Sequence, residues 1–115
     1  MESILTSVKK LLGIAEDYKQ FDVDIITHIN SVFADLAQMG VGPSEGFVIW
    51  DDSAIWDDFI SDTLLLQAVK SYMNLRVKIL FDPNSIGSST LASYERQIAQ
   101  WEWRMNIVAE SNKNT

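Results

Sequence analysis

The sequence predicts an all-α fold: a small helical bundle with a long antiparallel helix pair and an irregular acidic loop. Apolar residues recur at helical spacing in four separate segments of the 115-residue chain. The last two segments are long and are separated by a short turn, which is the pattern of two helices packed against each other. The loop before them, residues 45 to 62, contains six acidic residues and no Lys or Arg.

Two helices are predicted in the first third of the chain. The first spans residues 3 to 12 and is followed by Gly13, which suits a left-handed C-cap. The second starts at Asp22, which we expect to act as its N-cap, and ends at Gly40. The predicted apolar positions are Ile4, Leu5, Val8, Leu11 and Leu12 in the first helix and Ile25, Ile26, Ile29, Val32, Phe33, Leu36 and Met39 in the second.

The segment that follows breaks the helical pattern. Residues 40 to 46 contain three Gly together with Pro43, and this combination disfavours a continuing helix. The apolar run from Phe47 to Trp50 is compatible with a brief strand or with irregular packing. The sequence leaves both alternatives open.

A long amphipathic helix is predicted from Ser61 to Phe81. It ends there because Pro83 restricts the backbone of the residue before it. Its predicted apolar positions are Leu64, Leu65, Ala68, Val69, Tyr72, Leu75, Ile79 and Leu80.

The last predicted helix spans residues 90 to 108, with a cap supplied by Ser88, Ser89 or Thr90. Its apolar positions are spaced as a heptad seam, which predicts that it packs against the preceding long helix. These positions are Leu91, Tyr94, Ile98, Trp101, Met105 and Val108. The tail, residues 110 to 115, is expected to fray, and residues 1 to 115 are expected to form one domain.

The composition limits the possible partners. Lys and Arg number 9 against 16 Asp and Glu, so the net charge of −7 argues against tight binding of nucleic acid. The absence of Cys excludes disulfides and fits a reducing compartment. Residues 1 to 14 lack the continuous apolar stretch of a signal peptide, and no segment reaches the roughly 18 consecutive apolar residues of a membrane span. We therefore expect a soluble protein without membrane contact.

Two short motifs resemble sites of chemistry. Residues 42 to 46, GPSEG, match the G-x-S-x-G pattern, but that motif needs a preceding strand and a later His, whereas His28 lies upstream of Ser44. Asp24 and His28 are four residues apart on a predicted helix, which lets two side chains reach one metal ion, but no third ligand follows at an obvious spacing. We therefore predict no catalytic, cofactor-binding or metal-binding residues.

The acidic loop does not match a calcium-binding loop. If Asp51 is the first position, Trp56 occupies the place that requires Gly, and Asp62 the place that requires Glu. The alternatives are a solvated acidic face and a surface complementary to a basic partner, where charge would set orientation and association rate. The acidic residues are Glu45, Asp51, Asp52, Asp57, Asp58 and Asp62.

The four tryptophans suggest interaction surfaces. Trp101 lies on the heptad seam and is expected in the core, whereas Trp103 points about 200° around the helix from it. Trp50 and Trp56 flank the acidic run. Aromatic residues outside the main apolar stripe are enriched at protein interfaces, so Trp50, Trp56 and Trp103 are candidates either for an interface or for peripheral core packing.

Six segments in a fixed order cover nearly the whole chain: LLGI, DIITHINSVFADLAQMGVGP, GFVIWDD, WDDF, AVKSYMNLRVKILFDP and YERQIAQWEWRMN. Together they resemble the head-tail connector (adaptor) proteins of tailed bacteriophages and of prophages in Gram-positive bacteria. One departure is that this family often has a second Pro after FDP, where this chain has Asn84.

The resemblance implies a structural virion protein rather than an enzyme. Such proteins are made in the host cytoplasm and form a homo-oligomeric ring of about a dozen subunits at the head-tail junction, although the isolated subunit can be a monomer. The ring joins the portal protein to the next neck protein (a stopper or tail-completion protein), and DNA passes through it without specific binding. The resemblance also suggests contact residues, namely Phe81, Asp82, Pro83, Trp103 and Arg104.

Three further hypotheses follow from the residues. If the acidic loop lined the channel, charge repulsion would keep DNA from adhering. Phe81 either covers the turn between the two long helices or docks on a neighbouring subunit. The alternative function is that of a small acidic helical regulator that binds a basic protein partner.

Overall fold

The computed structural model describes residues 2–113, and its architecture confirms the all-α prediction. Within that range the only β-type pairing is an isolated antiparallel bridge between Ser3 and Ile55. A short 3-10 helix, Pro83–Ser85, joins the last two helices. The five α-helices are α1 (Ile4–Leu11), α2 (Asp22–Gln38), α3 (Trp56–Phe59), α4 (Thr63–Phe81) and α5 (Ser88–Lys113).

The central helix of the fold is α4. It packs on one layer formed by α1 and α2 and also on α5, which forms a second layer. The α4–α5 pair is antiparallel, because Tyr72 bonds Glu102 near one end while Lys78 lies over the ring of Tyr94 towards the other. The predicted antiparallel helix pair is therefore confirmed.

The helical stripes of α1 and α2 also agree with the sequence pattern. The buried positions of these helices were all predicted except Lys9, and the left-handed conformations at Gly13 (φ 78°) and Gly40 (φ 81°) lie where the helices were expected to end. On α2, Ile26 and Met39 are partly buried against the same core. The predicted stripe is therefore correct for the N-terminal half except at Leu11, which is 60% exposed at the end of α1.

Asp22 was predicted to be an N-cap, and this prediction is wrong. It is the first residue of α2, and Phe21 precedes it without any side-chain cap. The Asp22 carboxylate instead lies 2.8 Å from the Nζ atom of Lys9, whose side chain is only 2% exposed. A buried ammonium group requires a counter-charge, and this requirement outweighs the local capping preference.

The core face of α4 was also predicted only in part. Of the eight predicted apolar positions, Val69 and Tyr72 are fully buried, whereas Leu64 is 85% exposed. The core positions that the prediction missed are Leu66, Met73 and Val77. The helix is apolar on several sides because it contacts two layers, so a single stripe could not be identified from the periodicity.

The start of α5 also differs from the prediction. The amide of Leu91 donates to the carbonyl oxygen of Gly87, so Ser88, Ser89 and Thr90 lie inside the first turn rather than before it. At the other end the helix continues to Lys113, beyond the predicted end at Val108. Of the tail expected to fray, residues 110–113 therefore belong to α5, and residues 114–115 lie outside the described residues.

The long loop between α2 and α4 is irregular, and the strand considered for residues 47–50 is not formed. The loop is held by the side-chain amide of Asn30, which donates to the Ile49 carbonyl (2.9 Å) and accepts from the Ile49 amide (2.8 Å). Phe47 and Phe59 both pack on Phe33 of α2, with ring centroids 5.1 and 4.8 Å away. Side-chain bonds and aromatic packing thus replace the ladder that a strand would have supplied.

A polar network crosses all the layers. Arg76 donates to Asp35 of α2 (2.8 Å) and to the Tyr72 hydroxyl (2.6 Å), which in turn donates to Glu102 of α5 (2.7 Å). Burial, together with the bond to Glu102, raises the pKa of Tyr72. Burial alone would lower the pKa of Arg76, but its bonds to Asp35 and Tyr72 outweigh that effect and raise it. The network fixes α5 to the rest of the fold at one defined position.

Candidate interaction surfaces

The two tryptophans beside the acidic run have opposite environments. Trp56 is 4% exposed, packs near Phe33 and donates its indole N–H to the Ser7 hydroxyl at 3.0 Å. Trp50 is 81% exposed. Of the two roles considered for each, core packing therefore holds for Trp56, while Trp50 remains available for an interface.

The exposed position of Trp50 is imposed by its neighbours. Ile49 is buried, and the Asn30 side chain forms hydrogen bonds with both its amide and its carbonyl group. With Ile49 fixed in this way, the Trp50 side chain points outwards. Val48, on the other side of Ile49, is 50% exposed. Val48, Trp50, Asp51 and Asp52 together form one surface, which we call the Trp50 edge.

Half of the acidic residues have local structural roles. The Ser53 hydroxyl and amide both donate to Asp51, which lowers the pKa of that carboxyl. Asp58 accepts from the amide of Ile55 at 3.0 Å, just before α3. Asp62 caps α4 by accepting from the amides of Leu64 and Leu65. These three carboxylates help to shape the loop and the helix start.

The other acids are exposed on the surface. Glu45 accepts a hydrogen bond from the Ser44 hydroxyl at 3.3 Å, and Asp52 lies 4.0 Å from the ammonium group of Lys19. Asp57 is exposed on the first turn of α3. Solvent-exposed pairs of this kind contribute little to stability. These three acids are therefore the part of the loop whose charge is free to serve an external function.

The turn after α4 contains Phe81, Asp82 and Pro83. Phe81 is half-buried, and its ring meets the edge of Phe21 with centroids 5.4 Å apart. Asp82 closes the helix through its amide, which donates to the Lys78 carbonyl, and Pro83 begins the 3-10 helix. Asp82 and Pro83 are exposed, so the tip of the helix pair presents a rigid polar corner beside a partly covered aromatic ring.

The outward side of α5 carries a further exposed tryptophan. Trp103 is 67% exposed, and Ile107, one turn later, is 47% exposed. Trp101 was expected in the core but is only half-buried, and Val108 of the predicted seam is 38% exposed. Only Met105 and Ala109 of α5 are buried up to residue 111. The helix is therefore packed along one narrow line, and Trp103 and Ile107 form a separate apolar patch.

An apolar groove runs between the start of α4 and the last part of α5. It has a volume of about 310 Å³, and we call it the α4–α5 groove. The guanidinium group of Arg104 stands at its rim, 5.1 Å from the centroid of the Trp101 ring. The apolar residues that line it are Leu64, Leu65, Ala68, Trp101, Met105 and Val108.

Sequence reasoning missed this groove, although it had named Arg104. The sequence did contain an indication of an exposed apolar side chain at this site. Leu64, Leu65 and Leu66 are consecutive, and consecutive positions on a helix cannot all face one core. One of them must face outwards, and it is Leu64. A second groove, of about 410 Å³, lies at the other end of the helix pair and is bordered by Ile79, Leu80, Leu91 and Ile98.

The motifs considered for chemistry lie apart from one another. Ser44 is exposed in the loop and follows a helix rather than a strand, while His28 lies on α2. Across residues 2–113, no group of three or more His, Cys, Asp or Glu side chains is placed to hold a metal ion. In that same range, no helix combines the length and the apolar character needed to cross a membrane.

The fold and its surfaces are those of a small helical protein with exposed aromatic side chains and an open apolar groove. Residues 4–112 match the model of a family described as phage connector protein. The match covers nearly the whole chain, and the chain therefore belongs to the phage connector protein family. No curated protein and no solved structure matched. The protein has a connector role in the phage neck, where it contacts other head and tail proteins as a component of the virion.

Proposed function

We propose that this protein forms a homo-oligomeric ring that joins the portal vertex of the capsid to the next neck protein and continues the channel for DNA. Family membership supplies the connector role. The observation that carries the ring is the presence of unlike apolar surfaces on separate layers of one subunit. The Trp50 edge lies on the loop that packs against α2, whereas the α4–α5 groove is lined by residues of α4 and α5.

A ring requires this asymmetry. In a closed ring each subunit contacts its two neighbours through different surfaces, because the contacts are heterologous. Single exposed apolar residues are normal on any protein, but an exposed Trp and a lined groove on one small subunit are characteristic of interfaces. Two unlike surfaces therefore support a ring more strongly than they support an isologous dimer.

The patch of Trp103 and Ile107 on α5 provides a third surface. A ring between two other proteins must also bind along its axis, so each subunit needs at least one contact besides the two lateral ones. Trp103 is suited to such a contact because a Trp buries much apolar area and keeps a hydrogen-bond donor. We assign this patch to the portal or to the next neck protein, together with the corner formed by Asp82 and Pro83.

We also propose that Glu45 and Asp57 face the DNA channel. These carboxylates are exposed, and Glu45 has only one weak contact, with Ser44 of its own subunit. Their charge would repel the phosphate backbone and let DNA slide without adhering. The acidic loop therefore fits the wall of a conduit better than it fits a binding site for nucleic acid.

Native mass spectrometry of the purified protein, alone and mixed with its portal, tests the ring. We expect a closed oligomer of about a dozen subunits on the portal, whether or not the free protein is monomeric. A protein that remains a single subunit and ignores the portal would instead support the acidic regulator. A replacement of Trp103 by Ala should weaken portal or neck binding while the fold stays intact, as measured by circular dichroism.

A further inference from the structure

We propose that the α4–α5 groove receives the Trp50 edge of a second copy of this chain. This inference rests on the proposed ring and names the contact that links one subunit to the next. It states that Trp50 enters the groove between Leu64 and Val108 and that the neighbouring carboxylates meet Arg104.

The groove has the properties of an unfilled binding site. Met105 at its base is 1% exposed, whereas Leu64 at its rim is 85% exposed, so the lining passes from the core to open solvent. Its volume of about 310 Å³ is larger than an indole ring. Leu64 is left in water in the single subunit, and an occupant of the groove would bury its apolar surface.

The Trp50 edge has the properties of a pre-organised ligand. The backbone at Ile49 is fixed by both bonds to Asn30, so little conformational entropy is lost when Trp50 is buried by a partner. Val48 lies two residues before Trp50 and is also exposed, so it can broaden the apolar contact. Trp is also the residue type most enriched among interface positions that dominate binding energy.

Charge selects between the possible pairings. Residues 45 to 62 contain six acids and no Lys or Arg, so two copies of this loop repel each other and a loop-to-loop dimer is disfavoured. Asp51 and Asp52 directly follow Trp50, while the cation at the groove is Arg104, held over the face of Trp101. The remaining charge at the groove, Asp62, is already bonded to the amides of Leu64 and Leu65.

The Trp50 edge and the groove are on different elements of one subunit. The loop packs on α1 and α2 through the pairs Trp56–Ser7 and Asn30–Ile49, whereas the groove is lined by residues of α4 and α5. A contact between these two surfaces in different copies is therefore head-to-tail. A buried aromatic side chain supplies only about 150–250 Å², well below the roughly 1,200 Å² of a stable pair, so the contact should persist only when the ring or the portal adds to it.

Disulfide cross-linking on assembled rings tests this contact. The chain has no Cys, so the variants Val48→Cys and Leu64→Cys each carry a single thiol. When the two variants are mixed and assembled on the portal, we expect a cross-link between position 48 of one subunit and position 64 of the next. Val23→Cys, whose parent residue is 76% exposed on α2, is the matched control and should not cross-link to position 64.

A charge exchange tests the orientation. Arg104→Glu should reduce ring formation, because Asp51 and Asp52 of one subunit would then face the new carboxylate at position 104 of the next subunit. The combination of Arg104→Glu with Asp52→Lys should restore it. Circular dichroism of each variant shows whether the fold is kept.

The outcomes separate this inference from the proposed function. Rings that form without a 48–64 cross-link, and that survive Trp50→Ala, would overturn the contact and leave the ring intact. Cross-linking of the portal or the neck protein to position 64 would also overturn it, because the groove would then have a different occupant. Absence of any ring with the unmodified chain would instead contradict the proposed function.

Discussion

Lys9 has almost no exposed surface, yet its ammonium group has three oxygen partners: the carbonyls of Glu16 and Tyr18, and the carboxylate of Asp22. These bonds tie α1 to the connecting loop and to the start of α2. The carbonyls would be left without this donor if the lysine were removed, and the Asp22 charge would lose its counter-ion. A buried polar cluster of this kind is strongly destabilised when one partner is deleted.

We therefore expect Lys9→Met to lower the free energy of unfolding by about 3 kcal/mol. The matched control is Lys10→Met, because Lys10 is 74% exposed in an ion pair with Glu2, and its loss should cost about 0.5 kcal/mol or less. Urea denaturation of both variants provides the comparison. Equal stabilities would show that the Lys9 cluster does not hold the N-terminal helices together.

Phe81 was predicted either to cover the turn or to dock on a neighbour, and its half-burial leaves both roles open. Its main aromatic contact is Phe21, which also packs near Tyr18 at 5.6 Å. We expect Phe81→Ala to cost about 2 kcal/mol, less than the roughly 3–5 kcal/mol lost at a fully buried Phe such as Phe33. A variant with unchanged stability that no longer forms rings would assign Phe81 to the subunit interface.

At the scale of elements, the sequence was most informative for helices that face a single core. The stripes of α1 and α2 could be predicted because one side of each is apolar. The α4 helix contacts two layers and therefore carries apolar residues on several sides, so Leu66, Met73 and Val77 were missed. The burial of Trp56 depends on Ser7, and the exposure of Trp50 depends on the bonds between Asn30 and Ile49. Ser7 and Asn30 are distant in the sequence, so the residues around each Trp could not predict its environment.

The Tyr72 network that joins α2, α4 and α5 predicts a dependence of stability on alkaline pH. The pKa of Tyr72 is raised above its ordinary value of 10.0, so the folded state keeps the phenol proton more tightly than the unfolded state does. This stabilisation is fully present below pH 10 and is lost as the pH rises above 10, with a slope of at most about 1.4 kcal/mol per pH unit.

Denaturant unfolding between pH 8 and pH 12 measures this effect. The unmodified protein should lose stability more steeply above pH 10 than Tyr72→Phe, which has no phenol to ionise. Glu102→Gln serves as a control, since it alters the acceptor but keeps the titrating group. Parallel stability curves for the unmodified protein and Tyr72→Phe would contradict a coupled, buried Tyr72.

At the scale of the whole molecule, the sequence supplied the fold class and the family, while the surfaces required the structure. Trp50, Trp103 and Arg104 were named as contact candidates from residue type and position. Which of them share a surface depends on the packing of α4 between two layers. The division of the acidic loop into structural and free carboxylates likewise depends on hydrogen bonds that residue spacing did not reveal.

The channel hypothesis is tested by replacing only the exposed acids that are proposed to line the channel. We expect the double variant Glu45→Gln and Asp57→Asn to fold and assemble normally but to slow genome exit, because DNA would adhere to a less acidic wall. The matched variant Asp51→Asn, Asp58→Asn and Asp62→Asn should instead lower stability, since it weakens the loop and the cap of α4. Phage release kinetics and thermal unfolding distinguish the two. Unchanged genome exit in the first variant would remove the loop from the channel wall.

The central claim is that the protein acts by shape and contact, as one subunit of a ring between portal and neck. Electron cryo-microscopy of the neck from virions that carry this chain tests it most directly. We predict a single closed ring of this protein between the portal and the next neck protein, with the central channel open. Virions without the chain at this junction, or with one isolated copy of it, would contradict the account.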